Sequence, residues 1–343
     1  MIASAPNLRR RPQPRLALIR LAQRCRLLLL ASVALSGPLA AQGKPDQSAA
    51  LAGIRVLSDL SYVEGGSKSQ RLDLYLPEAS PQAPLPLIVH IHGGGWRAGN
   101  KAPCPVAAMA RQGYIVASVE YRFSQEALFP AQIQDCQAAI RYLRAHHREH
   151  HINPERVGVI GGSAGGHLSA LVGMAGGRAA FEPIGQHRDQ SDRVQAVCDI
   201  YGPADFTRVI QQAKDDPQVR NIFQFNSPSD PYSSLIGSEL GDNPKARAVS
   251  PLHHIHPKAP PVLILHGTAD KLVPYAQSTE FAKALKAAGI PVWLQTLPGA
   301  GHGGPAFGHP ALQQLTRDFF AKYLKDQTQL TLRLVPEDQI TTP

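Results

Sequence analysis

Residues 157–174 constrain the fold more than any other part of the chain. A short apolar run (157–160) leads straight into Gly161-Gly162-Ser163-Ala164-Gly165, and a helix-like apolar segment (165–174) follows without a spacer. A buried strand that turns directly into a helix forces the central residue into a tight, strained connection, which pushes the Ser163 hydroxyl clear of the backbone. Glycine on both sides is the residue such a crowded turn needs. The start of the helix beneath Ser163 favours negative charge developing there. The alternative, a phosphate-binding strand–helix loop, calls for a G-x-G-x-x-G phase that this stretch lacks.

The rest of the chain repeats the alternation. Residues 54–62 and 70–76 read as a hairpin around Gly65-Gly66-Ser67. Strand-like apolar runs recur at 87–92, 114–120, 194–200, 262–266 and 292–297, and helical spacing at 131–146, 275–288 and 310–324. Such alternation builds an α/β domain with a mostly parallel central sheet and helices on both faces. Residues 203–260 are irregular and rich in Asp, Ser and Pro, and read as a small inserted cap. Residues 326–343 read as a peripheral tail, and no internal repeat is present. The expected organisation is one domain, 42–343, after a leader.

A serine hydroxyl becomes a nucleophile when a base takes its proton and an acid orients that base. Asp270 follows the 262–266 run, and His302 sits in the Gly-rich loop after the 292–297 run. Both positions fall at carboxyl ends of parallel strands, where ligands gather in open α/β sheets. Asp199 and Asp242 compete with Asp270 and are worse placed. The order Ser163, Asp270, His302 is the one a nucleophile elbow requires. His92-Gly93-Gly94-Gly95-Trp96 ends the 87–92 run. Consecutive glycines let backbone N–H groups approach a tetrahedral intermediate, so Gly94, Gly95 and Ala164 are the expected oxyanion donors. Trp96 and His92 are expected beside the substrate pocket, with a plain core role for Trp96 equally open.

On these motifs the chain resembles the α/β-hydrolase superfamily, within the HGGG-motif esterases and lipases that include hormone-sensitive-lipase-like enzymes. It is similar to bacterial secreted esterases of the feruloyl and acetyl-xylan type through 70–77, 92–96, Glu120-Tyr121-Arg122, 161–167, Tyr201-Gly202-Pro203, Ser250-Pro251-Leu252, 266–274 and 299–303. The resemblance implies the α/β-hydrolase fold and carboxylic-ester hydrolysis without cofactor or metal, acting on a small-molecule or polysaccharide-linked ester. Trp96 departs from the Phe or Tyr that many hormone-sensitive-lipase relatives carry, which favours the feruloyl branch. Amidases of the arylformamidase type and peptidases use the same machinery, and a non-catalytic binding protein on this fold is a further alternative. His146 and His150 match an inverted zinc-protease pattern, H-x-x-E-H, but their polar context reads as a solvated helix end.

Charge first suggests an anionic partner. The chain carries 35 basic and 26 acidic residues, a net +9. Seven of the arginines lie within residues 1–41, which hold no acidic residue, and a nine-residue apolar run (27–35) and small residues follow them. That is the layout of a signal peptide, and nine residues cannot span ~30 Å of hydrocarbon as a stable anchor. Without that segment 28 basic residues face 26 acidic ones. The nucleic-acid reading falls away, and the expected location is secreted or periplasmic. Cys104, Cys136 and Cys198 remain, too few for a disulfide scaffold and best read as buried thiols, with any pairing left open.

Overall fold

Eight strands pair into one sheet in the order β1-β2-β4-β3-β5-β6-β7-β8 in the computed structural model, which describes Met1 and residues 51–219 and 224–340. The leader reading, Phe223 and residues 341–343 lie outside the described residues. The strands are β1 (Ile54–Ser61), β2 (Arg71–Pro77), β3 (Leu85–Ile91), β4 (Ile115–Val119), β5 (Ile152–Gly162), β6 (Ala196–Ile200), β7 (Val262–Gly267) and β8 (Val292–Leu297). β2 runs antiparallel to β1 and β4, and β4, β3, β5, β6, β7 and β8 are parallel. This is the α/β-hydrolase arrangement.

The strand sequences explain the pairing. β3, β4 and β7 are buried almost throughout, as Val/Ile/Leu runs covered on both faces must be. One face packs against α1 (Ala131–Ala145) and α2 (Ala164–Ala175), burying Ile140, Leu143, Leu168 and Leu171. The other packs against α7 (Pro310–Leu324) and a 3-10 turn, Ala107–Gln112, burying Leu315, Phe319, Phe320 and Met109. Each fully buried Leu, Ile or Phe contributes roughly 1.5–3 kcal/mol. β5 begins at Ile152, earlier than the apolar run suggests, because Leu85 and Pro86 pair with Ile152 and Asn153 before the register shifts to Leu87 opposite Val157.

Among the described residues, 203–260 hold three short α-helices, α3 (Val209–Asp215), α4 (Pro231–Ile236) and α5 (Pro244–Val249), and a 3-10 turn, Pro251–His254. Proline opens α4 and α5, and the preceding Asp230 and Asn243 cap their N-termini. α6 (Tyr275–Ala287) joins β7 to β8.

The tail is more firmly held than its polar composition suggests. Val335 and Ile340 are buried, and Gln295 of β8 both donates to the Val335 carbonyl and accepts from its N–H. Residues 146–151 are not helical as the zinc pattern would require. α1 stops at Ala145, and His146 Nδ1 bonds back to the Tyr142 carbonyl. The three cysteines are free and buried, and burial pushes the Cys104 thiol up to about 11.

Candidate active site

Parallel strands end on the same edge of a sheet, so the segments that leave β3, β5, β6, β7 and β8 converge. They bring together His92–Trp96, Ser163, Tyr201, Asp270 and His302. The cavity they border has a volume of about 1000 Å3 and reaches from Trp96 and Tyr232 to Met109, Leu312 and Arg317.

Ser163 connects β5 to α2 with φ 58° and ψ −123°, a strained conformation for a residue with a side chain. A serine before a helix ordinarily turns its hydroxyl back to cap the first turn. Ser163 makes no such bond; its Oγ lies 2.8 Å from His302 Nε2. The glycines on either side allow this turn to form against its neighbours. A Cβ on Gly161 would sit 2.5 Å from the Gly165 carbonyl, and one on Gly165 would overlap the Ile91 carbonyl of β3.

His302 Nδ1 lies 2.7 Å from Asp270 Oδ2. The carboxylate can only accept, so Nδ1 carries the proton and Nε2 presents its lone pair to the Ser163 hydroxyl. Asp270 is fully buried, and burial alone would raise its pKa. Hydrogen bonds from His266 and His302, the charge of His302 and the backbone N–H of Val273 outweigh that and hold it far below the usual carboxylate range. Its Oδ1 accepts from the N–H groups of Leu272 and Val273 at 2.8 and 3.0 Å, and its Oδ2 also meets His266 Nε2 at 3.1 Å. Asp199 and Asp242 have no part in this chain: Asp199 accepts from Gly202 N, and Asp242 pairs with Arg247.

The His92–Trp96 loop is tied down carbonyl by carbonyl. The His92 carbonyl accepts from the Tyr121 hydroxyl at 3.1 Å, the Gly93 carbonyl faces His92 Nδ1 at 2.7 Å, and the Gly94 carbonyl accepts from Arg97 and Ala98 N–H. Gly94 has φ 115°, and a Cβ there would overlap the Ala98 carbonyl. Gly93 lies against the elbow, where a Cβ would come within 2.7 Å of the Gly162 carbonyl. Glu120-Tyr121-Arg122 braces the loop from β4: Tyr121 stacks on His92 with centroids 4.5 Å apart, Glu120 lies 3.2 Å from His92 Nε2, and Arg122 forks onto buried Asp135. His92 therefore borders the cavity but directs both ring nitrogens into the protein.

Trp96 lines the cavity, yet it is 2% exposed and packs against Phe206, Tyr232 and His167. Buried Phe206 and half-buried Phe225 both pack on Tyr232, and only Tyr232 of the three lines the cavity.

Two contributors lie in stretches that carry the family resemblance, but the motifs assign them no role. Tyr201, at φ 45°, places its ring 4.5 Å from that of His302. His266 shares Asp270 with His302. Its spacing of four from Asp270 at the end of a strand is a sequence signal that carries no direction.

The BD-FAE family model matches residues 72–285, and a second model, described as TAP-like protein, matches 241–330. Esterase LipQ of Mycobacterium tuberculosis is 32% identical over 71% of this chain and 56% of its own length. Probable carboxylic ester hydrolase LipM of the same organism is 33% identical over 66% of this chain and 51% of its own. The chain thus spans about half the length of the curated relatives it matches. A solved truncated carbohydrate esterase from gut microbiota is 31% identical, with a TM-score of 0.70 over 79% of this chain and 96% of that one. Esterase Est2 of Thermogutta terrifontis is 26% identical with a TM-score of 0.61, covering 81% and 95%. With the sheet order and the strand–serine–helix connection, these matches show that the chain belongs to the BD-FAE family of α/β-hydrolases.

Proposed function

We propose that this chain is a serine carboxylesterase that works through an acyl-enzyme. The observation that carries the reading is His302, whose two ring nitrogens lie 2.8 Å from Ser163 Oγ and 2.7 Å from Asp270 Oδ2. Ser163 attacks the ester carbonyl while His302 Nε2 takes the hydroxyl proton, and the same imidazolium then protonates the departing alcohol. Water repeats the sequence on the acyl-enzyme and releases the acid. Asp270 holds the tautomer and stabilises the imidazolium.

The oxyanion is assigned to the N–H groups of Gly94, Gly95 and Ala164. In a trans peptide the N–H points opposite to the carbonyl before it. The Gly93 and Gly94 carbonyls face His92 and the Arg97–Ala98 turn, which directs the N–H groups of Gly94 and Gly95 the other way. Ala164 heads α2, so its N–H has no helical carbonyl to meet.

The substrate is an ester with a sizeable apolar or aryl part, bound along the wall formed by Val106, Met109, Phe307 and Leu312. Feruloyl esters of plant polysaccharide carry such a part; acetyl esters of the same polymers do not, and for them the likeness to a carbohydrate esterase is the support. Export follows from the signal-like residues 1–41. A chain-length series of p-nitrophenyl esters, run beside methyl ferulate, acetylated xylan and a matched anilide, tests the assignment. Turnover of esters well above the anilide is expected, and anilide rates equal to the ester rates would overturn it.

A further inference from the structure

His266 is the penultimate residue of β7, is fully buried, and does not line the cavity. Its Nε2 faces two acceptors, Asp270 Oδ2 at 3.1 Å and the Val273 carbonyl at 3.2 Å, so in the neutral ring that nitrogen carries the proton. Nδ1 is then the lone-pair nitrogen, and it accepts from the buried Ser278 hydroxyl of α6 at 2.6 Å. Asp270 and Val273, which can only accept, set this tautomer, and the Ser278 hydroxyl completes it by donating to the remaining nitrogen. The result is a carboxylate whose Oδ1 is held by two backbone N–H groups and whose Oδ2 receives two imidazoles, one facing the cavity and one from the core.

We propose that His266, with its second nitrogen held by Ser278, is a positioning residue: it fixes Asp270 Oδ2 toward His302 and takes up part of that oxygen's hydrogen-bonding capacity. The proposal rests on the esterase reading above. Without the second donor the carboxylate becomes freer to move and a stronger acceptor toward His302. The first effect lowers turnover. The second stabilises the imidazolium and moves the acid limb of kcat/KM to higher pH. The other titratable groups facing the pair are Tyr201 from the loop after β6, Tyr275 from α6 and Tyr232 from α4. Burial and the charge of Asp270 raise the Tyr201 and Tyr232 phenols, so both stay neutral across the acid limb.

The experiment compares wild type, His266→Phe, which keeps a ring and removes both nitrogens, and His266→Gln, whose amide carries an N–H near the Nε2 position. Ser278→Ala is the milder variant. Active sites are counted in each by fluorophosphonate titration. The expected result for His266→Phe is a fall in kcat per titrated site of about ten- to a hundredfold with little change in KM. Its acid limb should rise by about half to one pH unit. His266→Gln should recover most of both, and Ser278→Ala should shift the limb the same way by less. If His266→Phe does not fold, the Gln and Ser278→Ala variants decide by the same limb. An acid limb unmoved in every folded variant, with losses that only track the count of titrated sites, would overturn the proposal. Ser163→Ala runs alongside: full ester turnover in that variant would instead overturn the esterase reading itself.

Discussion

Trp96 donates its indole N–H to Nδ1 of His167 at 3.1 Å, and the other nitrogen of that imidazole bonds to the Val249 carbonyl at 2.7 Å. One fully buried ring thus joins the His92–Trp96 loop, the helix behind Ser163 and the end of α5. Trp96→Phe keeps an aromatic ring in the cluster but leaves a buried acceptor unpaired. The expected cost is about 1–3 kcal/mol of unfolding free energy, measured by urea denaturation. A loss within experimental error would show that the bond does not hold these elements together.

Gly94 tests the oxyanion assignment. Alanine there would collide with the Ala98 carbonyl and would have to adopt φ 115°. The loop must shift, and the Gly94 and Gly95 N–H groups shift with it. Gly94→Ala should lower kcat about a hundredfold, in line with the loss of an oxyanion donor. Fluorophosphonate labelling should slow as well, and wild-type turnover would exclude a role for this loop.

Burial sets the pH dependence of stability. It depresses His90 to about 3 and His167 to about 4, with nearby His92 and His254 adding to the effect. An unfolded imidazole titrates near ~6.5, so from there down to about 4 the unfolded chain binds protons the folded chain refuses, and stability falls as pH drops. Asp199 has the opposite sign: burial pushes it up to about 7, so it disfavours the folded state as pH rises from ~4 through 7. Asp199→Asn, which keeps an acceptor for Gly202 N–H, should gain stability relative to wild type on going from pH 5 to pH 8. Melting temperatures at the two pH values read this out, and equal margins would contradict it.

Much of this site is legible in the chain because its parts are local. The run before Gly161, the glycines around Ser163 and the strand-end positions of Asp270 and His302 each reflect a short-range demand of strand, turn or helix start. Other features depend on contacts between distant segments. Nothing near His92 shows that its Nε2 faces Glu120, and nothing near His266 shows that Ser278 meets its Nδ1. Periodicity is silent on α4 and α5 because six residues make fewer than two turns. Their signal is the capping pairs Asp230-Pro231 and Asn243-Pro244. The tail's anchor through Gln295 likewise has no local mark.

Ser163 carries the proposed chemistry. Ser163→Ala removes one oxygen at a position whose backbone is held by the Ile200 carbonyl and α2, so the fold should persist by circular dichroism. Hydrolysis of p-nitrophenyl acetate should fall by about a thousandfold or more, and fluorophosphonate labelling should vanish. A folded Ser163→Ala protein that turns over the ester at the wild-type rate would contradict the central claim.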